Sequence, residues 1–213
     1  MSSQKSTGAP PPQPARAKQP QRERGRARVA ALLEAAGAEF AQKGYEGATM
    51  TAIAARAGAS IGSLYQFFPT KPQVAAALLD HYLERLAAAF RALREQAASM
   101  PLPALAEKLT RSLVKFRATH PAFVMLAETY GHALPGVGGI RQRVRGEIAS
   151  VLAELAPDLA PDALDLHAAV VQQLMKAAVA LNSDTSFKRR DAAIVQLEAL
   201  MLHYLSESVA TAV

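Results

Sequence analysis

From about Arg22 onward, apolar residues recur at the 3.6-residue spacing of an α-helix, and no segment alternates at period two. That restricts the chain to an all-α fold without a sheet. Val29, Leu32, Leu33, Ala36 and Phe40 share one face of a first helix, and Lys43-Gly44 ends it, with Gly44 free to take a left-handed C-cap. Short helices are predicted over 51–57 and 60–68, separated by Gly58-Ala59-Ser60. A long helix runs from Pro72 to about Ala98. Pro101, Pro103, Pro121, Pro135, Pro157 and Pro161 then divide the remainder into helices near 102–118, 121–131, 139–156, 162–182 and 187–210.

Charge is placed at one end. Residues 1–28 carry seven cations (Lys5, Arg16, Lys18, Arg22, Arg24, Arg26, Arg28) against Glu23, which accounts for the whole net charge of +6. A basic arm on a neutral body suggests a polyanionic partner. Residues 1–21 are rich in Pro, Gln and Ser with almost nothing large and apolar, and are expected to be a disordered basic arm. The chain has no Cys, which excludes disulfides, thiolate metal sites and a Cys nucleophile. No apolar run is long enough for a membrane span, and the N-terminus lacks the apolar stretch of an export signal. A cytoplasmic protein is expected.

The stretch from Thr49 to Phe68 has the make-up of a helix-turn-helix. Ala54 is small where two helices cross closely, Gly58 can take the positive φ of the turn, and Leu64 offers the apolar contact from the second helix. Thr49 and Ser60 are suited to cap the two helices. Leu64 and Phe68 fill the inward face, which leaves Tyr65 at the surface.

Around these residues the chain resembles the TetR family of bacterial regulators. The resemblance runs from Arg28 to Lys71 and rests on Ala35-Ala36, Phe40, Gly44-Tyr45, Thr49, Ile53-Ala54, Ala57-Gly58, Ser60, Gly62, Leu64-Tyr65, Phe68 and Lys71. It implies a three-helix DNA-binding domain at 22–72 and a helical effector-binding and dimerisation domain at 73–213. It further implies that the helix at 60–67 enters the major groove with Ile61, Gly62 and Ser63 facing bases. Tyr65 and Lys71 match phosphate-contacting positions, and Thr49 and Thr51 would approach the backbone. Phe67 stands where many members carry a Tyr or His that bonds a phosphate, leaving Gln66 to supply that contact. Partners implied are a palindromic DNA operator, a second copy of the chain joined through 162–182 and 187–210, and a small-molecule effector.

Other patterns carry less. Gly58-Ala59-Ser60-Ile61-Gly62 reads as a hydrolase nucleophile elbow, but a helix rather than a strand enters it. Gly136-Val137-Gly138-Gly139 lacks the Lys-Ser/Thr of a phosphate loop. The five histidines show no zinc spacing, and neither a metal nor a cofactor is expected. No acid/base constellation suggests an enzyme. The final helix is apolar on two sides, with Ile194, Leu197, Met201, Tyr204 and Leu205 on one and Val195, Ala199 and Leu202 on the other, so it needs two packing partners. An oversupply of apolar faces among the middle helices suggests an apolar or amphipathic effector pocket involving Phe116, Phe123, Tyr130, His167 and Met175. The rival readings are a DNA-binding dimer with a solid C-terminal core and no effector, and an α-helical carrier or enzyme with a fortuitous basic arm.

Overall fold

The computed structural model describes residues 19–130 and 139–208, with 19–22, 128–130 and 208 described by backbone alone. Among them there are nine helices and no strand. The chain is all-α, as the spacing of its apolar residues requires.

Helix α1 (Gln19–Gly47) starts inside the segment 1–21 that was expected to be disordered; residues 1–18 lie outside the described residues. Its regular part ends at Gly44, as the sequence predicts, but the geometry differs. Gly44 has φ 70° and ψ 170°, an extended mirror-image conformation rather than a left-handed helical cap. The last turn, through Tyr45, therefore swings out of the helix axis and stacks its ring on Phe40, with centroids 5.5 Å apart.

Helix α2 (Met50–Arg56) packs on α1, and α3 (Ile61–Phe67) packs on α2; Leu32, Ala36, Phe40, Ile53, Ala54 and Leu64 of the three helices are all essentially inaccessible to solvent. Helix α4 (Lys71–Ala97) opens with a feature the sequence reading passed over. Thr70 accepts from the Gln73 backbone N–H while Gln73 Oε1 accepts from the Thr70 N–H at 3.1 Å, a reciprocal capping box, and Pro72 occupies the first turn.

Helix α4 lies against α1, α6 (Pro121–Tyr130) and α7 (Ile140–Ala153). Helix α5 (Leu102–Thr119) lies against α8 (Pro161–Ser183) and α9 (Arg190–Ser208), and α8 also packs on α7 and α9. The larger core is built from Leu78, Leu79, Phe90, Leu105, Leu109, Leu126, Ile148 and Leu152, all fully buried. Truncating one such leucine to alanine costs about 2–5 kcal/mol.

Helix α1 packs on both α6 and α4, and its approach to α4 is close. Gly37, mid-way along α1, leaves no room for a side chain, because a Cβ there would collide with the Tyr82 hydroxyl of α4. Tyr82 is 5% exposed, and burial, with the Glu34 carboxylate adding to it, pushes its phenol up to about 12.

Candidate nucleic-acid interface

The turn between α2 and α3 is closed by backbone hydrogen bonds. The Gly58 N–H donates to Ala55 O at 3.1 Å and the Ala59 N–H to Ala54 O at 2.9 Å. This is the paired pattern of a Schellman termination, and it requires the positive φ that Gly58 adopts, 60°. The helices on either side are capped as their sequences predict. Thr49 Oγ1 accepts from the Ala52 N–H at 3.2 Å, and Ser60 Oγ accepts from the Ser63 N–H at 3.1 Å. Each hydroxyl spends a lone pair and keeps its own proton to donate elsewhere.

Anchored by Leu64, with Phe68 buried beyond its end, α3 turns the rest of its length outward. Ile61, Gly62, Tyr65, Gln66 and Phe67 are exposed, Ser63 is half-buried, and Tyr65, at 48%, is more open than Ile61 or Phe67. Nothing lies within 4 Å of a Cβ built on Gly62, so this stretch of backbone is bare and approachable. Thr51 is exposed on α2. Thr49, Thr51, Ser60, Ile61, Gly62, Ser63, Tyr65 and Gln66 therefore belong to one small unit whose second helix is held by its inward face alone.

Lys71, at a position the resemblance matches to a phosphate contact, is engaged within the protein. Its ammonium donates to three backbone carbonyls, Tyr45 O at 2.9 Å, Glu46 O at 3.2 Å and Ala48 O at 3.2 Å, and lies 4.6 Å from the centre of the Tyr45 ring. An ammonium has three N–H donors, and all three are spent inside the protein. Its contacts bind the first turn of α4 to the end of α1 and the lead-in to α2.

A second tie was also missed. Glu39 on α1 is 3% exposed, covered by Arg56 of α2 and Lys43. The Arg56 Nε–H donates to Oε1 at 2.7 Å, and Arg56 Nη2 donates to Gln42 Oε1 at 2.8 Å. Arg56 first and Lys43 second hold the Glu39 carboxyl below the usual carboxylate range, against the opposing effect of burial. A polar residue at 39 on the otherwise buried face of α1, with Arg56 seventeen residues on, is the only sequence signal for this pair.

The expected effector pocket does not form as one set. Met175 is fully buried in the core, and half-buried His167 hydrogen-bonds through Nδ1 to the Tyr204 hydroxyl at 2.7 Å, a satisfied histidine joining α8 to α9. The Tyr130 side chain lies outside the described residues. Phe116 and Phe123 do meet, edge to face at 5.3 Å, and join Tyr82 and His120 in an aromatic cluster where α4, α5 and α6 converge. Beside that cluster is a cavity of about 560 Å³ between α4 and α5, for which Phe116 alone of the five expected residues supplies wall. Among the described residues, no group of three or more His, Asp or Glu could hold a metal ion, and no helix is long and apolar enough to cross a membrane.

Comparison with known proteins agrees with this architecture. Residues 32–78 match the family described as bacterial regulatory proteins, tetR family, and residues 101–205 match the tetracyclin repressor-like C-terminal domain. No curated protein matches the sequence at a significant level. Among solved structures, a TetR-family transcriptional regulator from Mesorhizobium loti superposes with a TM-score of 0.70 at 19% identity, covering 86% of this chain and 97% of its own. A TetR-family regulatory protein from Rhodococcus gives 0.59 at 19% identity, covering 83% and 96%. The regulator PfmR from Thermus thermophilus gives 0.57 at 17%, covering 81% and 97%. At such identities the structures establish the fold, while the two sequence matches together span most of the chain. The helix-turn-helix at 49–68 and the helical body at 101–205 are the two halves of one family's plan, and the chain belongs to the TetR family of DNA-binding bacterial transcription regulators.

Proposed function

We propose that the chain acts in the cytoplasm as a homodimeric repressor that binds a palindromic operator and is released from it by a small amphipathic ligand. The observation that carries the DNA part is the outward face of α3: Ile61, Gly62, Tyr65 and Gln66 exposed together on a helix capped at Ser60 and anchored by Leu64. An isoleucine can touch a thymine methyl and Ser63 can donate or accept at a base edge, while Tyr65 can bond a phosphate. Residues 22–72 form the reading domain in this proposal, and 73–213 form the effector-binding and dimerisation domain.

The dimer is supported by α8 and α9. Leu166, Val195 and Leu200 are 62%, 49% and 54% exposed, although Ile194, Met201 and Leu205 already bury the other side of α9. A second copy packing on that outer face would complete a four-helix interface and relate two reading helices by a two-fold axis.

Release by a ligand is supported by the α4/α5 cavity, whose volume suits a small organic molecule. The packed interior around Met175 is what a purely dimerising domain would show, and the cavity is the feature that favours a responsive one. Selection from random duplex DNA tests the proposal: an inverted repeat bound by two subunits is expected, and enrichment of asymmetric sequences by single subunits would refute it.

A further inference from the structure

The cavity has a chemistry of its own. It runs lengthwise between α4 and α5, which pass it in opposite directions. Gln96 meets Lys108 at one end, 3.3 Å apart, and Tyr82 meets His120 at the other, with ring centres 4.9 Å apart. From Arg85 to Gln96 the trough is about 16 Å long at the helical rise per residue. Its floor is apolar, made by Leu86, Phe90, Leu93 and Phe116, while Ala89 and Ala92 leave width along the α4 side.

The charge along its walls is one-sided. Arg85, Lys108, Arg111 and Lys115 line it against a single carboxylate, Glu107. The cations are not equally free. Arg111 is paired with Glu198, whose side chain is 17% exposed, and lies near Glu107 as well. Lys108 rests on the Gln96 amide. Lys115 pairs with no carboxylate among the described residues. Arg85 is held by one solvent-exposed partner, Glu34 of α1, through a 2.8 Å contact. That partner belongs to the helix-turn-helix half of the molecule.

We propose that this cavity binds an amphipathic monoanion, a carboxylate on an elongated apolar body, and that the carboxylate competes with Glu34 for Arg85. The inference rests on the ligand-responsive reading above and gives that ligand its chemical class. The apolar body lies along Phe90, Leu93 and Phe116. The carboxylate sits at the Arg85 and Lys115 end, where a guanidinium can accept it in a two-pronged contact. Capturing Arg85 takes it from Glu34 and removes one tie between α4 and α1. The same exchange runs in reverse: whatever holds Glu34 on Arg85 weakens the ligand by the same factor.

The test uses the full-length protein and calorimetric titration with octanoate, dodecanoate and hexadecanoate. Dodecan-1-ol and dodecyltrimethylammonium serve as uncharged and cationic counterparts, all below their micelle concentrations. Dodecanoate is expected to bind about tenfold more tightly than dodecan-1-ol of the same chain length, a difference typical of one well-made charged contact, with octanoate and hexadecanoate reporting the length the trough accepts. Arg85→Gln should erase that preference without changing dodecanol binding. Glu34→Gln should tighten carboxylate binding by about threefold, the worth of an exposed ion pair, and leave dodecanol unchanged. Equal binding of carboxylate and alcohol, tighter binding of the ammonium, or no binding of any carboxylate would overturn the proposed ligand class. A preference that survives Arg85→Gln, or a Glu34→Gln variant indistinguishable from wild type, would overturn the competition. Gel shifts on the selected operator separate this proposal from the reading beneath it. DNA binding without carboxylate binding removes only the ligand class, whereas carboxylate binding that leaves DNA affinity unchanged removes the ligand-responsive reading.

Discussion

Arg56 Nε donates to Glu39 Oε1 at 2.7 Å across the α1–α2 junction, so the first helix of the helix-turn-helix is fastened by a carboxylate that solvent barely reaches. The depressed Glu39 pKa fixes the sign of a pH dependence. A carboxyl held lower in the folded state than in the unfolded chain adds stability above its unfolded value, about 4.3, and loses it as pH falls through the folded one. Glu39→Gln should lower the unfolding midpoint at pH 7, and the gap from wild type should close at acid pH. Thermal melts of both proteins across pH 3 to 7 check this; a gap independent of pH would refute it.

Lys71→Met should destabilise the protein by about 1–3 kcal/mol, because it strands three carbonyls that the ammonium now satisfies. It should also weaken DNA binding, chiefly by loosening the reading unit. The salt slope of log Kd should then change by less than the unit expected of a direct phosphate contact. Urea unfolding and DNA titrations at several salt concentrations give both numbers.

Tyr65→Phe should weaken binding on every operator variant alike, since a phosphate contact positions without specifying. Ile61→Ala and Ser63→Ala should instead redistribute affinity among base substitutions, by about 1–3 kcal/mol at the affected step. Affinity profiles over a set of single-base operator variants distinguish the two patterns.

Leu200→Glu on the open face of α9 should leave the fold intact, because its side chain is already 54% exposed. It should shift sedimentation equilibrium toward monomer by burying an uncompensated charge in the paired state. High-affinity operator binding should fall with it.

Gly37→Ala should destabilise the contact between α1 and α4, at a cost of about 1–3 kcal/mol for the collision with the Tyr82 hydroxyl. Removing that hydroxyl in a Gly37→Ala, Tyr82→Phe double variant should restore part of the loss. Denaturant midpoints of the two singles and the double measure the coupling.

What was legible in the sequence was what is decided locally. Thr49 and Ser60 cap the helices they precede, Gly58 turns where a positive φ is needed, and Leu64 points inward on the face it shares with Phe68, four residues on. Helix ends were readable to within a few residues for the same reason, since prolines and caps act on neighbours. What could not be read depends on where helices distant in sequence come to lie. The three carbonyls under Lys71 converge only because Gly44 adopts ψ 170° and swings Tyr45 aside. The apolar faces expected to leave a pocket near His167 and Met175 instead close on one another. The gap opens between α4 and α5, which share α6 at one end but otherwise lean on different helices, α4 on α1 and α7, α5 on α8 and α9.

The carbonyl cradle under Lys71 also has a mechanical reading. Because the first turn of α4 is clamped to the end of α1 and the lead-in to α2, that turn and the reading head travel as one piece. Helix α4 has 27 residues and is about 40 Å long, so a tilt of about 5° amounts to roughly 3.5 Å of travel at its end. With α4 as the lever and Lys71 as the rivet, a change in the lean of α4 would be carried into the end of α1 and the lead-in to α2.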